Sequence, residues 1–531
     1  MFTTHKISYR QTNAFSKLVL DYVDAAPVLD NFYNYKPNIE GIKKAVADRK
    51  NFPVNRKLLV DTLSNQYASL SISDKLKANI ALLSSENTFT VCTAHQPNIF
   101  TGHLYFIYKI LHAIKLCDEL KAAMPENNFV PVYYMGSEDA DLEELGEVHI
   151  KGHKYKWQTV QTGAVGRMII DKNFIQIIDG ISGQLAVEKN GSAILDIVRE
   201  IYKEGLTIEQ ATFQFVHYLF NEYGLVVLLP DDKNLKAAFA PIITKELEEQ
   251  FSEKAVAQTV TAFPHEYKVQ ASGRAINLFY LKDNKRERIE ADKNGFAIAN
   301  TDIKFTKENL FLELLHNAER FSPNVILRPV FQEMILPNVA FIGGGGEIAY
   351  WLELKNVFDA VGIFFPALVL RNSFTIMNKQ VAEKMQHLGL HYEDTFKQER
   401  QLIDEMVKKE SELTLDLKAE KEAFKAVYEN IKTAAGNIDS TLNCHVHALR
   451  TQALNKLEIL EKKMLKAEKK KFEAQQRQIQ KLKTALYPSN NLQERVDNVV
   501  EYVAVYGNGF IHELYNNSQG LGNEFTILVN H

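Results

Sequence analysis

Three stretches of this chain concentrate residues that can do chemistry. The first is Thr93-Ala94-His95-Gln96-Pro97-Asn98-Ile99-Phe100-Thr101-Gly102-His103-Leu104-Tyr105. His95, Gln96 and His103 can donate hydrogen bonds, and Gly102 would let a ligand approach the backbone. The second is Ser137-Glu138-Asp139-Ala140-Asp141-Leu142-Glu143-Glu144. Carboxylates grouped like this can bind an amine, hold Mg²⁺ or act as a general base. Glu143 and Glu144 equally suit the first turn of an ordinary helix, which leaves Glu138 and Asp139 as the sharper pair. The third is Gly343-Gly344-Gly345-Gly346-Glu347, whose glycines permit close approach of a phosphate or sugar. It matches neither the P-loop spacing nor G-x-G-x-x-G in full, and a plain tight turn would use the same residues.

Two other signals carry less. Cys444-His445-Val446-His447 has metal-ligand residue types, but consecutive helical positions point around the axis, so three ligands would not converge. No metal site is expected there or elsewhere. Lys462, Lys463, Lys466, Lys469, Lys470 and Lys471 alternate with Glu461, Glu468 and Glu473. That is the solvated face of a coiled coil, with ion pairs of about 0.3–0.5 kcal/mol each.

Positioning the first three stretches takes alternating strands and helices. The first 85 residues read mostly as helix, broken near Asn51-Phe52-Pro53, with a cap at Ser71-Ile72-Ser73-Asp74 before a helix over 75–83. Thr-Phe-Thr-Val-Cys-Thr at 88–93 has the β-branched alternation of a strand. It enters the first loop, followed by an apolar helix over 104–120 and a second strand over 129–135 that runs into the acids. Two strands joined by a helix are the unit of a parallel sheet, in which ligands sit beyond the strands' carboxyl ends against helix N-termini. Further strands are expected over 224–230, ending in Asp231-Asp232, over 324–328, and over 338–342, which enters the glycines ahead of a helix over 348–358. Residues 150–210 and 265–300 carry short strands and glycine turns, read as insertions on the core.

Composition changes at Met377. From there to Leu486 there is no proline, and Leu457, Leu460, Met464, Ala467, Phe472, Ile479, Leu482 and Leu486 mark a stripe near the 3.5-residue repeat of a coiled coil. Gly436 and Asn437 divide the region into an antiparallel hairpin. A further helix over 492–506 and a strand over 525–529 close the chain. The expected organisation is an α/β parallel-sheet core over 1–376, a helical coiled-coil arm over 377–487, and a segment over 488–531 that returns to the core.

The 531 residues are 46% hydrophobic and 10% aromatic, enough for a sizeable core, which excludes a largely disordered chain. Lys plus Arg is 62 against 66 Asp plus Glu, a formal charge of −4, without the basic surplus of a dedicated nucleic-acid binder. Cys92, Cys117 and Cys444 make neither a disulfide framework nor a zinc spacing. The opening MFTTHKISYRQTNAF lacks the apolar stretch of about 7–15 residues of a signal peptide, and the apolar runs fall short of the ~20 residues that cross a bilayer. A soluble, globular protein of the reducing cytoplasm, with no nucleic-acid or membrane partner, is expected.

Four blocks together resemble the bacillithiol biosynthesis cysteine-adding enzyme family: TAHQPNIFTGHLYFIYKI, VPVYYMGSEDADLEEL, LRPVFQEMILPNVAFIGGGGEIAYWLELK and YPSNNLQERVDNVVEYVAVYG. They fall in the family's order between about residues 90 and 510. The resemblance implies a Rossmann-like core related to nucleotidyltransferases, connective insertions, and a C-terminal coiled coil supporting a homodimer. It implies a ligase that joins the carboxyl group of cysteine to the amine of glucosaminyl-malate. A free carboxylate is a poor electrophile, so ATP and Mg²⁺ are the cofactors expected to activate it, most simply as an adenylate.

Gln96, Gly102, Leu104 and Tyr105 match the family, whereas His95 and His103 stand where many members have Gln and Pro. Glu138, Asp139 and Asp141 match, with Ala140 in place of a common His. The uniform Gly343–Gly346 run replaces a Gly-Pro-Gly-Glu pattern, with Glu347, Tyr350 and Lys355 in place. From placement within this scheme Glu138 and Asp139 are the expected catalytic residues, and the roles that follow rest on placement too. Gln96, Gly102, His103, Gly343, Gly344, Gly345 and Gly346 hold the nucleotide. Tyr105, Lys109, Asp141, Arg328, Glu347 and Tyr350 bind substrate, with Lys109 and Arg328 on the malate carboxylates. Two rivals stay open: a non-catalytic nucleotide- or sugar-binding scaffold assembled through its coiled coil, and a sugar-nucleotide transferase.

Overall fold

The computed structural model describes residues 2–271 and 273–530. Its central sheet has five strands: β1 (Thr88–His95), β2 (Asn128–Met135), β3 (Val226–Leu228), β4 (Asn338–Gly343) and β5 (Ala367–Leu370). They lie in the order β5-β4-β1-β2-β3, every neighbouring pair parallel, with Cys92 opposite Val132 on one side and Phe341 on the other. β1 is buried along its length as far as Ala94, as expected of a strand covered on both faces. Helix α1 (Leu104–Ala123) links β1 to β2 and is buried over most of its surface, which is why it reads as continuously apolar rather than amphipathic. The chain leaves β1 toward β2 and β3 and returns on the opposite side to β4 and β5. The carboxyl ends of β1 and β4 therefore flank the point where strand order reverses. Helix α2 (Gly345–Leu352) begins directly after β4.

Burial holds this layer together. Ile42 and Val46 from the helix Ile39–Arg49 pack with Val91, Leu116, Leu120, Val339, Ile342 and Val369 in one core, each side chain contributing about 1.5–3 kcal/mol when fully buried.

Several elements depart from expectation. Residues 324–328 are not a strand: Asn324 Oδ1 accepts the Ile326 and Leu327 backbone N–H groups at 2.9 and 3.3 Å, starting the helix Leu327–Ile335. The helix expected over 348–358 is split into α2 and Lys355–Val361. The mainly helical first 85 residues open with a strand, Phe2–Ser8, in a three-stranded sheet with Glu524–Asn530 and Phe374–Met377. Residues 150–210 are mostly helical beyond the hairpin Glu147–Ile150 and His153–Lys156. Ile177, Ile178, Ile181 and Leu185 bury one face of Lys172–Leu185, and Ile194, Leu195, Val198 and Ile201 one face of Gly191–Ile201. Residues 265–300 do contain a small antiparallel sheet, which pairs Leu278–Lys282 with Lys285–Asp292 through a two-residue turn. Both turn residues, Asp283 and Asn284, have positive φ, the requirement of a type I′ hairpin. Over 492–506 a short turn, Gln493–Arg495, precedes the helix Val499–Tyr506, whose start Asn498 caps by accepting the Val500 N–H.

The chain divides into two compact units, one running to Ile376 and resuming over Asn491–Leu528, the other containing Met377–Asn490. In the second, Lys418–Ile438 and Leu442–Lys469 form the hairpin. Glu429 pairs with Arg450, and Lys421 with Glu461 at 2.5 Å, a spacing that widens away from the turn as antiparallel helices require. The break falls at Asp439–Thr441, where Asp439 accepts the Thr441 N–H; Gly436 and Asn437 remain helical. Among the described residues no helix is long and apolar enough to cross a membrane.

Candidate active site

A cavity of about 610 Å³ opens at the carboxyl ends of β1 and β4. On the β1 side, Gln96 and Tyr105 line it, while Gly102 and His103 do not. Phe100, Thr101 and Gly102 have φ of 50°, 71° and 65°. Two of the three are not glycine, and for a β-branched threonine that conformation is strained. Asn498, fully buried, restrains the turn by donating from Nδ2 to the carbonyls of Phe100 and Gly102 at 2.9 and 2.5 Å. A Cβ on Gly102 would lie 2.8 Å from Asn98 Cβ, so this glycine serves the turn. His103 precedes α1 with Nδ1 3.2 Å from the carbonyl of Val496, and burial lowers its pKa. His95 does line the cavity, against Tyr105 and Phe106, and burial holds its ring in the neutral form.

On the β4 side, Gly344, Gly345, Gly346, Glu347 and Tyr350 face the cavity. Gly343 ends β4, its carbonyl accepting the Arg371 N–H at 2.8 Å. Glu347 reaches back to accept the Gly344 N–H at 2.8 Å. Its two oxygens also take the ammonium of Lys109 at 3.0 and 2.7 Å. Lys109, 1% exposed, projects from α1 beneath the floor and also donates to the carbonyl of Ala94; it does not reach the cavity itself. Burial pushes its pKa down, against the pull of Glu347. Arg328 donates to Gln332 Oε1 at 3.0 Å and to the Tyr350 hydroxyl at 3.1 Å, and lies over the Tyr134 ring.

The acid segment forms the third wall. Asp139 accepts from Gln96 Nε2 at 3.0 Å and from the Ala140 N–H at 2.7 Å. Glu138 pairs through Oε1 with the buried ammonium of Lys236. Burial pushes the Glu138 carboxyl up, and Lys236 opposes that push. Asp141 lies outside the cavity lining and caps the turn Leu142–Leu145 by accepting the Glu144 N–H.

Sequence reasoning missed a ring of cations. Arg274, Arg286, Arg371 and Arg495 line the cavity beside Arg328. Arg371 follows β5, a four-residue strand too short to announce itself, and forms a bidentate pair with buried Glu494 at 2.9 and 2.6 Å. Its guanidinium lies 5.2 Å from the centre of the Tyr105 ring. The Asp231-Asp232 strand end was a usable signal for the Lys236 cluster, because Asp231 sits 2.9 Å from Lys236. Among the described residues no three His, Cys, Asp or Glu side chains are grouped to hold a metal. The whole arrangement offers a cationic rim for anions, one anchored carboxylate, and one carboxylate displaced toward neutral pH.

Two family models match the chain. Bacillithiol biosynthesis BshC, N-terminal Rossmann-like domain, covers residues 2–372, and Bacillithiol biosynthesis BshC, C-terminal coiled-coil domain, covers 374–529. The chain belongs to the BshC family. A protein of Flavobacterium johnsoniae named "Putative cysteine ligase BshC" is 40% identical over 99% of both chains. Proteins of the same name from Flavobacterium psychrophilum and Christiangramia forsetii are 40% and 37% identical, again over 99% of both chains. The boundary between the two BshC models falls just after Arg371. The C-terminal one nevertheless includes Glu494, Arg495 and Asn498, which pack in the unit that holds the cavity.

Proposed function

We propose that this BshC-family ligase joins the carboxyl group of cysteine to the amine of glucosaminyl-malate, giving bacillithiol. The observation that carries the reading is the cavity at the strand-order reversal, where the buried Glu138 faces an anchored Glu347 across a rim of arginines. Glu347, its oxygens fixed by Lys109 and Gly344, holds the ammonium of cysteine or the sugar hydroxyls. Arg328, fixed by Gln332 and Tyr350, takes a malate carboxylate, for which a planar guanidinium suits bidentate contact. Lys109 acts from below, through Glu347. Glu138 accepts the proton that the sugar amine sheds as its nitrogen bonds the cysteine carbonyl carbon and one carboxyl oxygen leaves that carbon with whatever group activates it, a task suited to a carboxyl displaced upward. Asp139 orients Gln96 and the amine.

ATP with Mg²⁺ fits the remaining surface. The Gly344–Gly346 backbone at the start of α2 and the guanidinium groups of Arg371 and Arg495 would hold its phosphates, with Gln96 beside them and Asp139 near the cation. Bound there, ATP would supply the activation of the cysteine carboxyl. The arm supports a homodimer, because Phe424, Val427, Ile431, Ile459 and Leu460 are exposed apolar residues on its hairpin and such faces favour a partner. A reaction confined to small thiols and sugars suits a reducing cytoplasm.

Mass spectrometry of the full-length protein with glucosaminyl-malate, cysteine, ATP and Mg²⁺, beside an ATP-free control, tests the reading. Bacillithiol appearing only with ATP is the expected result, with AMP marking an adenylate and ADP an acyl phosphate. Product formed equally without ATP removes the nucleotide from the scheme, and no product under either condition removes the ligase assignment.

A further inference from the structure

The proposed base is not an isolated carboxylate. Lys236, near the start of the helix Lys233–Glu249, is 1% exposed. Its ammonium meets Glu138 Oε1, Asp231 Oδ1 at 2.9 Å and the carbonyl of Glu319 at 3.0 Å. Its hydrogen bonds go to Glu138 and the Glu319 carbonyl, and Asp231 completes the contacts as an ion pair. Asp231 is gripped from its other side by Arg167, whose Nε and Nη2 reach its two oxygens at 2.6 and 2.7 Å. Glu138 lines the cavity and Lys236 does not. Stability alone does not explain the cluster, because buried ion pairs can often be replaced by packed apolar side chains without loss.

We infer that Lys236 and Asp231 are positioning residues for Glu138: Lys236 holds its carboxylate ionised at the cavity wall, and Asp231 draws off part of the lysine's charge so that the carboxylate stays able to take a proton. The inference rests on the reading of Glu138 as the acceptor of the amine proton. Other groups also act on Glu138. Arg286 from the antiparallel sheet and Arg167 from the segment before Met168 favour its charged form. Glu209 from the helix Ile208–Phe220 disfavours it, while the Tyr134 phenol on β2 stays neutral and adds no charge. Among the described residues, Lys236 alone donates a hydrogen bond to the Glu138 side chain. The signs follow directly. Without Lys236 the carboxyl holds its proton to higher pH, and without the like charge of Asp231 it releases the proton at lower pH.

Full-length native protein, K236M, K236R and D231N are treated across pH with a water-soluble carbodiimide and glycine ethyl ester, which label protonated carboxyls. Peptide mass spectrometry then reads the labelling of Glu138. The half-labelling pH is expected to rise by about 1 unit in K236M, to fall in D231N, and to stay near native in K236R. The acid limb of bacillithiol formation should move in the same directions. D231N is nearly isosteric and carries the test independently if K236M does not fold. An unmoved midpoint in D231N, or shifts of the same sign in D231N and K236M, overturns the inference. Normal turnover by E138Q would instead overturn the reading of Glu138 as base, and the labelling midpoints, which need no turnover, would still decide the roles of Lys236 and Asp231.

Discussion

Two lysine–glutamate pairs stand on opposite walls of the cavity, and they are built for different work. In both, the lysine is 1% exposed and the glutamate reaches the cavity. Lys109 gives its charge to one carboxylate, Glu347, and its remaining contact is a neutral carbonyl; Glu347 is also tied to the Gly344 N–H. Lys236 divides its charge between two carboxylates, Glu138 and Asp231. The first pair is balanced and fully engaged, which makes a fixed recognition group. The second shares its ammonium with Asp231, which Arg167 also pairs, and among the described residues Glu138 accepts a single side-chain hydrogen bond, which leaves a carboxylate that can titrate. Residue type does not separate the two. The number of carboxylates around each ammonium does, one at Lys109 and two at Lys236.

The largest effect expected from breaking this comparison is on the titrating side. Glu138→Gln should lower product formation by about 10²–10⁴-fold with the unfolding midpoint nearly unchanged, measured by mass-spectrometric turnover and thermal melting. Normal turnover in both Glu138→Gln and Asp139→Asn would remove the acid wall from the chemistry. On the fixed side, Lys109→Met leaves Glu347 without its cation and should cost about 3 kcal/mol, at the low end for a broken buried pair because Glu347 is partly exposed. Urea unfolding checks this, and the double change Lys109→Met with Glu347→Gln should recover part of the loss.

A third carboxyl sharpens the contrast by having no lysine. Glu333 is fully buried, accepts from Gln332 and Asn338 on Oε1, and has no partner on Oε2. Burial pushes its pKa up to about 7. A carboxyl raised in the folded state favours folding below its unfolded value of 4.5, and that contribution is lost as pH climbs toward 7. Glu333→Gln should therefore stabilise the protein by about 2 kcal/mol at pH 8, with little change near pH 4.5, in urea titrations at the two pH values. The smallest effect belongs to a surface pair. Lys57→Ala, breaking the exposed contact with Asp61, should leave the melting temperature within error; a large change would show that burial does not decide the strength of such pairs.

The sheet was legible where its strands are long. Thr88–His95 and Asn128–Met135 carry eight residues each of buried, β-rich sequence, and the loops that follow them sit where a parallel sheet puts ligands. Short apolar runs misled or hid. Asn-Val-Ile-Leu-Arg at 324–328 has strand composition, but the Asn324 side chain satisfies the first helical N–H groups and turns the chain into a helix. Ala367–Leu370, only four residues, passed unnoticed, and Arg371 with it. The site's own residues split along the same line. Gln96, Glu138 and Asp139 in loops at strand ends, and Glu347 in the first turn of the helix after β4, were named from the sequence and line the cavity. Lys236, 98 positions beyond Glu138, and Glu494, 123 beyond Arg371, were not, because a single charge inside a helix or turn carries no signal of the partner that folding brings to it.

The restraint on the β1 turn has a consequence for how the enzyme comes into being. Asn498 is 396 residues beyond Gly102, so the ribosome releases the turn, the sheet and the whole helical arm before the side chain that fixes the turn has been made. Glu494, the counter-ion of Arg371, arrives equally late. A nascent chain therefore carries an arginine without its carboxylate and a strained turn without its clasp until Glu494 and Asn498 have been made. The two restraints on the site are therefore made only after the helical arm has been synthesised. A message cut short before the codon for Glu494 would give a chain that lacks both restraints.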